Sequence, residues 1–480
     1  MHVVMMAGEV YPYAKTGGLA DVMAALPRAL ASAGVEVTVC VPGYRRALAT
    51  AGELPPARRV LAPVGSRMEP ADVVTLTAGA VRTVLVRADR YFDRDGIYGD
   101  ARGDYGDNAE RYAFFCRAVL EWLRSEAPAD VLHAHDWHAA LAPAFLRANR
   151  ELYPELAAMR SVMTIHNLAY QGRFPSGGWH LLNLDARYFT PDFLEFYGDI
   201  DYLKAGIVFA DAVTTVSPRY AVEIQTPALG EGLDGVLRVR HASLRGIVNG
   251  IDTAVWDPAR DAFLPAHYDR ADLRGKAACK AALQAELGLA VDPKPPLVGN
   301  VSRLEEQKGL DLLAVVLPDV LAGAQLAVLG SGEERYAAML RALAERFPGR
   351  AGVRFGYDER VAHRIEAGAD VFLMPSRYEP CGLNQLYSLR YGTVPVVHAT
   401  GGLDDTVAEW DAATGTGTGF KFTPYTPAAF RAALERALAT RAHPAAWMRL
   451  VANGMAQDFS WDRAAAEYGR LYADLVSRRA

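Results

Sequence analysis

The feature that most constrains the fold of this chain is a recurring unit: a short apolar run, a glycine-containing loop and a longer stretch with helical spacing. Such short, apolar runs are typical of strands buried on both faces. Their alternation with helices indicates βαβ units and parallel sheets. We therefore predict an α/β protein whose first sheet contains strands at 2–7, 35–41, 81–87, 130–134, 161–165 and 212–216.

A second set of apolar runs begins after residue 250 and predicts a second open sheet, with strands at 297–302, 325–329, 352–355, 371–374 and 394–397. The Asn249-Gly250 pair is a turn signal, and Pro258 and Pro265 interrupt the stretch that follows. We place the domain boundary there. The prediction is two doubly wound α/β domains, 1–248 and 249–458, with the helical tail 459–480 packed back on the first domain.

Two sheets of this kind also predict where a ligand binds. In open α/β sheets, ligands bind beyond the carboxyl ends of the strands. If the two domains face each other across a cleft, the residues that follow each strand line it. These residues are therefore the candidates for chemistry.

Composition limits the partners of the protein. The 480 residues carry 51 cationic and 56 anionic side chains, a formal net charge of −5, without a dense basic tract. This balance disfavours nucleic acid and anionic membranes as partners.

The four cysteines, at 40, 116, 279 and 381, lie far apart and lack paired spacing, which is typical of a reducing compartment. No leader or membrane span is recognisable, so we expect a cytoplasmic protein.

The first candidate loop follows the first predicted strand and reads GEVYPYAKTGGLADV. Lys15 precedes the Gly17-Gly18 pair at a loop-to-helix junction, where backbone amides are available to an anion. The spacing matches neither the dinucleotide-binding fingerprint nor a Walker A loop. The alternative is a simple glycine turn before a helix.

The segment HAHDWH, at 133–138, places three histidines and Asp136 at the end of a predicted strand. This composition invites a metal site, but His133 and His135 share one strand face while Asp136 and His138 lie beyond it. The spacing therefore favours the polar rim of an active site, with strand-end structure as the alternative. His166 also follows a strand directly, as a cleft-facing donor or a structural residue.

Two cations mark the loop VSRLEEQKGLD in the second half of the chain. Arg303 can hold a diphosphate through forked hydrogen bonds, and Lys308 can do so as a compact charge near a helix start. The alternative is that both are surface charges paired with Glu305 and Glu306.

The third candidate loop is PSRYEPCGLNQLY, which follows another predicted strand. The backbone amides of Cys381, Gly382 and Leu383 open a helix and could hold a sugar hydroxyl or a phosphate, with Glu379 as a nearby acceptor. Cys381 is not a credible nucleophile because the sequence offers no base nearby. A further glycine pair precedes a helix in TGGLDDTV, at 400–407.

Taken together, these segments resemble the bacterial glycogen synthase and plant starch synthase family of retaining glucosyltransferases. The resemblance covers nearly the whole chain, in the family's order: KTGGLADV at 15–22, HAHDWH at 133–138, TIHNLAYQG at 164–172, IVNGID at 247–252, VSRLEEQKGLD at 301–311, SRYEPCGLNQLY at 376–387 and TGGLDDTV at 400–407. It implies the GT-B arrangement of two Rossmann-like lobes, an acceptor-side lobe followed by a nucleotide-sugar lobe. It also implies glucose transfer from ADP-glucose to the non-reducing end of an α-1,4-glucan, with retention, release of ADP and no metal or other cofactor.

The resemblance also implies roles in the first lobe. Lys15 and Gly18 would meet the diphosphate side of the donor, and Asp21 would approach the ribose. Asp136 would line the acceptor side. His166 would hold the donor glucose.

In the rest of the chain, the resemblance implies that Asn249, Glu379 and the backbone of Cys381, Gly382 and Leu383 also hold the donor glucose. Arg303 and Lys308 would neutralise the leaving diphosphate, and Tyr357 would stack on the nucleobase. Asn384 departs from the family, which has threonine there, so a hydroxyl contact to phosphate is replaced at best by an amide N–H.

Two alternatives stay open at this point. One is a related glycosyltransferase of the sucrose or trehalose type, or a phosphorylase, which would need a lysine that holds pyridoxal phosphate. The other is a non-catalytic glucan-binding protein. The presence of Lys15, Arg303, Lys308 and Glu379 argues against the second alternative.

Overall fold

A computed structural model describes residues 1–126 and 129–478. The chain divides into two units, each with its own hydrophobic core. The first unit comprises Met1–Gly250 together with the C-terminal helix, and the second comprises Ile251–Ser460. Within the described residues, no helix is both long and apolar enough to cross a membrane.

The first unit is built on one sheet, which contains nine strands within the described residues, in the order β14-β13-β9-β8-β1-β2-β5-β4-β3. Pairing is parallel from β14 to β5 and antiparallel from β5 to β3. The strands of this unit are β1 (His2–Met6), β2 (Glu36–Pro42), β3 (Arg58–Val64), β4 (Arg67–Ala78), β5 (Val81–Arg87), β6 (Gly99–Asp100), β7 (Gly103–Asp104), β8 (Val131–His135), β9 (Arg160–Ile165), β10 (Arg173–Pro175), β11 (Glu195–Phe196), β12 (Asp199–Asp201), β13 (Ala212–Thr215) and β14 (Leu244–Gly246).

All six strands predicted for the first half of the chain lie in this sheet, so that prediction is confirmed. The edge hairpin of β3 and β4 was not predicted. β3 is antiparallel and begins with two exposed arginines, Arg58 and Arg59, so it lacks the continuous apolar pattern of a doubly buried strand.

Helices connect and cover these strands. Those of the first unit are α1 (Gly18–Ser32), α2 (Arg45–Ala51), α3 (Asp89–Phe92), α4 (Asn108–Leu123), α5 (Leu141–Ala148), α6 (Tyr202–Phe209), α7 (Pro218–Glu223) and α8 (Asp234–Val239). Short 3-10 turns lie at Arg150–Leu152, Pro154–Leu156, Ser176–Leu182, Ala186–Tyr188 and His241–Ser243.

The second unit contains a parallel sheet in the order β17-β16-β15-β18-β19-β20. Its strands are β15 (Leu297–Leu304), β16 (Gln325–Gly332), β17 (Ala351–Phe355), β18 (Val371–Met374), β19 (Val394–His398) and β20 (Phe420–Phe422). Its helices are α9 (Arg274–Glu286), α10 (Leu310–Val320), α11 (Glu334–Arg346), α12 (Glu359–Gly368), α13 (Asn384–Arg390), α14 (Gly401–Thr406), α15 (Pro427–Arg441) and α16 (Pro444–Met455), and a 3-10 turn covers Glu306–Lys308.

This strand order is that of the Rossmann fold. The first strand, β15, lies in the middle of the sheet; β16 and β17 are added on one side of it, and β18, β19 and β20 are added on the other. The five strands predicted for this half are confirmed in one sheet. The edge strand β20 was not predicted because its three residues, Phe420–Phe422, are too short to give a pattern.

The last helix, α17 (Trp461–Ser477), packs on α1 of the first unit. Its buried residues recur with helical spacing and form one apolar stripe: Trp461, Ala464, Ala465, Tyr468, Leu471, Tyr472 and Leu475. Through Tyr472 the helix also reaches the sheet, because the Tyr472 hydroxyl lies 2.7 Å from Nδ1 of His133 on β8.

Candidate functional site

The predicted site residues cluster where the strand order of each sheet reverses. In the first unit the reversal lies between β1 and β8, and Glu9 and Asp136 follow these strands. In the second unit it lies between β15 and β18, and Lys308 and Glu379 follow those strands. Such reversal points open a crevice at the carboxyl edge of a parallel sheet, which is where ligands bind in this class of fold.

The loop after β1 brings Lys15 to the start of α1. Its ammonium lies 2.7 Å from the carboxylate of Asp21, one turn into the helix, and 5.6 Å from the centre of the Tyr11 ring. Gly17 is the N-cap residue and gives the helix no side-chain cap, so Gly18 opens a helix N-terminus whose amides suit an anion. The structure thus brings Lys15, Gly18 and Asp21 together.

Glu9 belongs to this loop as well, and the sequence analysis did not identify it. Its side chain is buried and accepts hydrogen bonds from the amides of Thr16 and Gly17. The available signal was its position, three residues after the buried strand β1.

The histidines of HAHDWH are held in separate contacts. The two ring nitrogens of His133 lie 2.7 Å from the Tyr472 hydroxyl and 2.6 Å from the Thr164 hydroxyl. His135 Nδ1 lies 2.9 Å from His166 Nε2. In the part of the chain that the structure describes, no group of three or more His, Cys, Asp or Glu side chains is arranged to hold a metal ion.

Burial keeps these imidazoles neutral. It lowers the pKa of His133 and of His166 to about 3, and it lowers the pKa of His135 well below its ordinary value. His135 Nε2 is buried and has no hydrogen-bond partner among the described residues. Because a buried N–H without an acceptor is rare, we assign the His135 proton to Nδ1, which donates to His166 Nε2. His166 then carries its own proton on Nδ1, as a donor.

Asp136 turns the chain at the end of β8 with a φ of 56°, in the left-handed region that aspartate tolerates better than most residues. Its carboxylate accepts the backbone N–H of His166 at 2.7 Å, which ties the ends of β8 and β9 together. Burial raises the pKa of Asp136 to about 7, against the opposing effect of the backbone amides of His166 and Asn167.

In the second unit, Lys308 and Glu379 form a partly buried ion pair. The ammonium lies 2.7 Å and 3.0 Å from the two carboxylate oxygens, and the Ser376 hydroxyl donates to the same carboxylate at 2.9 Å. The alternative considered for Lys308, pairing with Glu305 or Glu306, is therefore not what the structure records. Arg303 does pair with Glu305, at 2.9 Å, and its side chain is half-exposed.

The backbone around Lys308 explains why this pair can form. Gly309 has a φ of 72°, and a Cβ there would lie 1.9 Å from the carbonyl oxygen of Pro375. The amide of Arg377 donates to the carbonyl of Gln307 at 2.9 Å. Glycine thus lets the loop after β15 lie directly against the loop after β18.

The glycine pair of TGGLDDTV has a similar role beside Glu379. The amide of Gly402 donates to the Glu379 carbonyl at 3.0 Å. A Cβ at Gly401 would lie 1.9 Å from that same carbonyl oxygen, and one at Gly402 would lie 2.0 Å from the Cys381 carbonyl oxygen. This pair supports the backbone of the predicted glucose-binding segment.

That segment leads into α13, where Leu383 is the N-cap and Asn384 the first helical residue. Gly382 has a φ of 70°, and Cys381 is buried. The Asn384 side-chain amide donates to the Val301 carbonyl at 2.6 Å, so it fastens the helix start to β15. Part of its donor capacity is therefore already used within the protein.

Two predicted residues lie away from these clusters in their own units. Tyr357 follows β17 and is 76% exposed. Asn249 is buried near the end of the first unit.

Comparison with known proteins agrees with this geometry. The family model described as the starch synthase catalytic domain matches residues 2–239, and the model of glycosyl transferases group 1 matches residues 288–450. A glycogen synthase of Anaeromyxobacter dehalogenans (strain 2CP-1) is 49% identical to this chain, and the match covers 100% of both chains. A glycogen synthase of Koribacter versatilis (strain Ellin345) is 47% identical over 100% of this chain and 99% of its own.

Among solved structures, the catalytic domain of starch synthase IV from Arabidopsis thaliana, bound to ADP and acarbose, matches with a TM-score of 0.89 at 34% identity, over 99% of both chains. The predicted fold class, two Rossmann-like α/β domains of the GT-B type, is confirmed. The chain thus belongs to the glycogen synthase and starch synthase family, and it is a glycosyltransferase that works with a nucleotide-sugar donor and a glucan acceptor.

Proposed function

We propose that this enzyme transfers glucose from ADP-glucose to the non-reducing end of an α-1,4-glucan, with retention at the anomeric carbon and release of ADP. The observation that carries the proposal is the Lys308–Glu379 pair at the strand reversal of the second unit. It provides an oriented cation at the place where this fold binds nucleotides.

ADP as the nucleotide is supported by the similar catalytic domain of starch synthase IV, which is bound to ADP. In our proposal Lys308 and Arg303 neutralise the diphosphate, while Lys15, Gly18 and Asp21 meet its other side and the ribose. Tyr357 stacks on the base.

The sugar is held by hydrogen bonds in this proposal. His166 donates from Nδ1, which is the tautomer that its contact with His135 favours. Asn249, Glu379 and the backbone of Cys381, Gly382 and Leu383 complete the contacts to glucose. Asn384 keeps one amide hydrogen for the phosphate, because the other is used by Val301.

The chemical step breaks the bond between the anomeric carbon and the diphosphate oxygen, and the electron pair leaves with ADP. The O4 hydroxyl of the acceptor attacks from the same face, and its proton passes to the departing phosphate oxygen. Negative charge grows on phosphate and positive charge on the sugar, so fixed cations lower the barrier electrostatically. Glu379 positions Lys308 and a sugar hydroxyl, and it does not attack carbon. Asp136 lies on the acceptor side.

We place the reaction in the cytoplasm. All four cysteines, Cys40, Cys116, Cys279 and Cys381, are buried thiols, which suits a reducing compartment.

The test is incorporation of labelled glucose into glycogen from ADP-glucose and from UDP-glucose, measured side by side. We expect incorporation from ADP-glucose with release of ADP. Preferential use of UDP-glucose would overturn the assigned donor. Binding of glycogen without incorporation from either donor would instead favour a non-catalytic glucan-binding protein.

A further inference from the structure

We propose that Glu9 is a positioning residue that holds the loop Lys15–Gly18 in the shape that binds the donor diphosphate. The inference rests on the proposed function, which assigns this loop to the donor. It extends that function to a residue that makes no contact with the substrate itself.

The side chain of Glu9 accepts hydrogen bonds from this loop and from Tyr98. Its carboxylate, in a residue that is 4% exposed, accepts the Thr16 amide at 2.5 Å, the Thr16 hydroxyl at 2.6 Å and the Gly17 amide at 3.1 Å. The Tyr98 hydroxyl donates at 2.7 Å. Four donors converge on one buried carboxylate, so its charge is well compensated and the loop has a single favoured shape.

The two oxygens of Glu9 have different partners, and this difference makes the proposal testable. Among the described residues, Oε2 accepts from the backbone amides of Thr16 and Gly17, which cannot reverse their role. Oε1 accepts from the hydroxyls of Thr16 and Tyr98, which can rotate and accept instead. Glutamine can therefore replace glutamate, with its oxygen at the Oε2 position and its NH₂ group at the Oε1 position.

The backbone that precedes Glu9 is tightly packed. A Cβ on the preceding residue, Gly8, would lie 2.7 Å from His138 Cγ and 3.0 Å from the Tyr98 hydroxyl. The Tyr98 ring in turn stacks on His138, with centroids 4.7 Å apart. Glu9 thus connects the loop after β1 with the segment that follows β8, and it fixes the backbone just ahead of the helix amides that begin at Gly18.

The experiment compares Glu9→Gln, Glu9→Ala and Glu9→Asp with the wild-type enzyme, by calorimetric titration with ADP and by steady-state kinetics. We expect Glu9→Ala to raise the Kd for ADP and the KM for ADP-glucose about tenfold or more, because all four hydrogen bonds that shape the loop are lost. The KM for glycogen should stay within about threefold. Glu9→Gln should stay within about threefold of wild type in all three constants.

Glu9→Asp keeps the charge but withdraws it by one methylene, so it should behave like Glu9→Ala. If Glu9→Ala does not fold, the contrast between Asp and Gln decides the matter. Equal losses for Gln and Asp would overturn the proposal, since a side chain that keeps the hydrogen-bond positions would then not preserve ADP binding. Unchanged ADP affinity in Glu9→Asp would overturn it as well.

Lys15→Ala separates this inference from the function on which it rests. We expect it to weaken ADP binding. If Lys15→Ala binds ADP like wild type, the assignment of the loop to the donor is wrong, and the proposal for Glu9 falls with it. If Lys15→Ala binds weakly while the Glu9 variants bind normally, only the role of Glu9 is wrong.

Discussion

The ammonium of Lys308 lies 2.7 Å from the carboxylate of Glu379, although 71 positions separate the two residues in the chain. The contact joins the loop after β15 to the loop after β18, on either side of the strand reversal. Glu379 itself is fixed by the Ser376 hydroxyl and by its own carbonyl, which accepts the Gly402 amide. The cation assigned to the leaving phosphate is thus oriented before any donor arrives, which is the condition under which a charge is most effective in catalysis.

Replacement of Glu379 by glutamine should lower kcat about ten- to hundredfold, since a hydrogen bond to a charged partner is worth about 1.5–3 kcal/mol. The reason is that Lys308 loses the charge that orients it. The measurement is kcat at saturating ADP-glucose, with thermal melting to verify the fold. A normal kcat, or a trapped glucosyl adduct on Glu379 in the wild-type enzyme, would contradict the positioning role.

Gly309→Ala should reduce both stability and turnover. The added Cβ would lie 1.9 Å from the Pro375 carbonyl oxygen, at a φ of 72°. We expect a loss of about 1–3 kcal/mol or more in the free energy of unfolding. The matched control is Gly323→Ala, where nothing lies within 4 Å of the added Cβ. Urea unfolding measures both variants, and equal stabilities would show that the two loops are not in the contact described.

Asp136 should make the enzyme less stable as the pH rises from about 4 to about 7. Its folded-state pKa is raised to about 7, so the folded state holds a proton that the unfolded state releases near pH 4. This contribution to stability is complete below the unfolded pKa and is lost as the pH passes the folded one. Its slope is at most about 1.4 kcal/mol per pH unit.

Asp136→Asn removes this titration. The measurement is the free energy of unfolding at pH 5 and at pH 7.5, for the wild type and the variant. We expect the wild type to lose stability relative to the variant between these values. A constant difference between the two proteins would show that Asp136 is ionised throughout.

The buried histidines should stay neutral well below the pH at which ordinary histidines titrate. Burial lowers the pKa of His133 and of His166 to about 3. Because these pKa values are depressed in the folded state, the fold loses stability as the pH falls below about 6.5, where the unfolded chain takes up protons, and the loss continues down to about 3. His166 should carry its proton on Nδ1.

Nitrogen-15 NMR of histidine-labelled protein measures charge and tautomer together. Signals assigned by single substitutions should not move between pH 7.5 and pH 5.5, while free histidine in the same buffer serves as the control. Titration of His166 near pH 6.5, or a proton on its Nε2, would contradict the assignment.

The sequence could predict the central strands because they are buried on both faces, as in HVVMM of β1, so their composition alone identifies them. It could also place the candidate residues at strand ends. It could not predict the edge strand β3, because its first two residues, Arg58 and Arg59, are exposed and burial begins only at Ala62, a pattern that it shares with loops.

The contacts between site residues could not be predicted from the sequence, for a different reason. In the sequence, the acidic residues nearest to Lys308 are Glu305 and Glu306. Glu379 becomes its partner because Gly309 lets the loop after β15 lie against the loop after β18. Glu9 was not predicted, although its partners Thr16 and Gly17 lie only seven and eight positions away, because contacts of a carboxylate within one loop leave no regular spacing. Its contact with Tyr98, 89 positions away, and the Lys308–Glu379 pair depend on the packing of distant segments, which spacing along the chain does not encode.

The most direct test of the account is the turnover of Lys308→Ala at saturating ADP-glucose and glycogen. Loss of one oriented charge donor to a developing anion costs about 3–4 kcal/mol, so we predict that kcat falls roughly a hundred- to thousandfold. Thermal melting must show that the variant remains folded. A folded variant with near-normal kcat would contradict the claim that this cation stabilises the departing diphosphate.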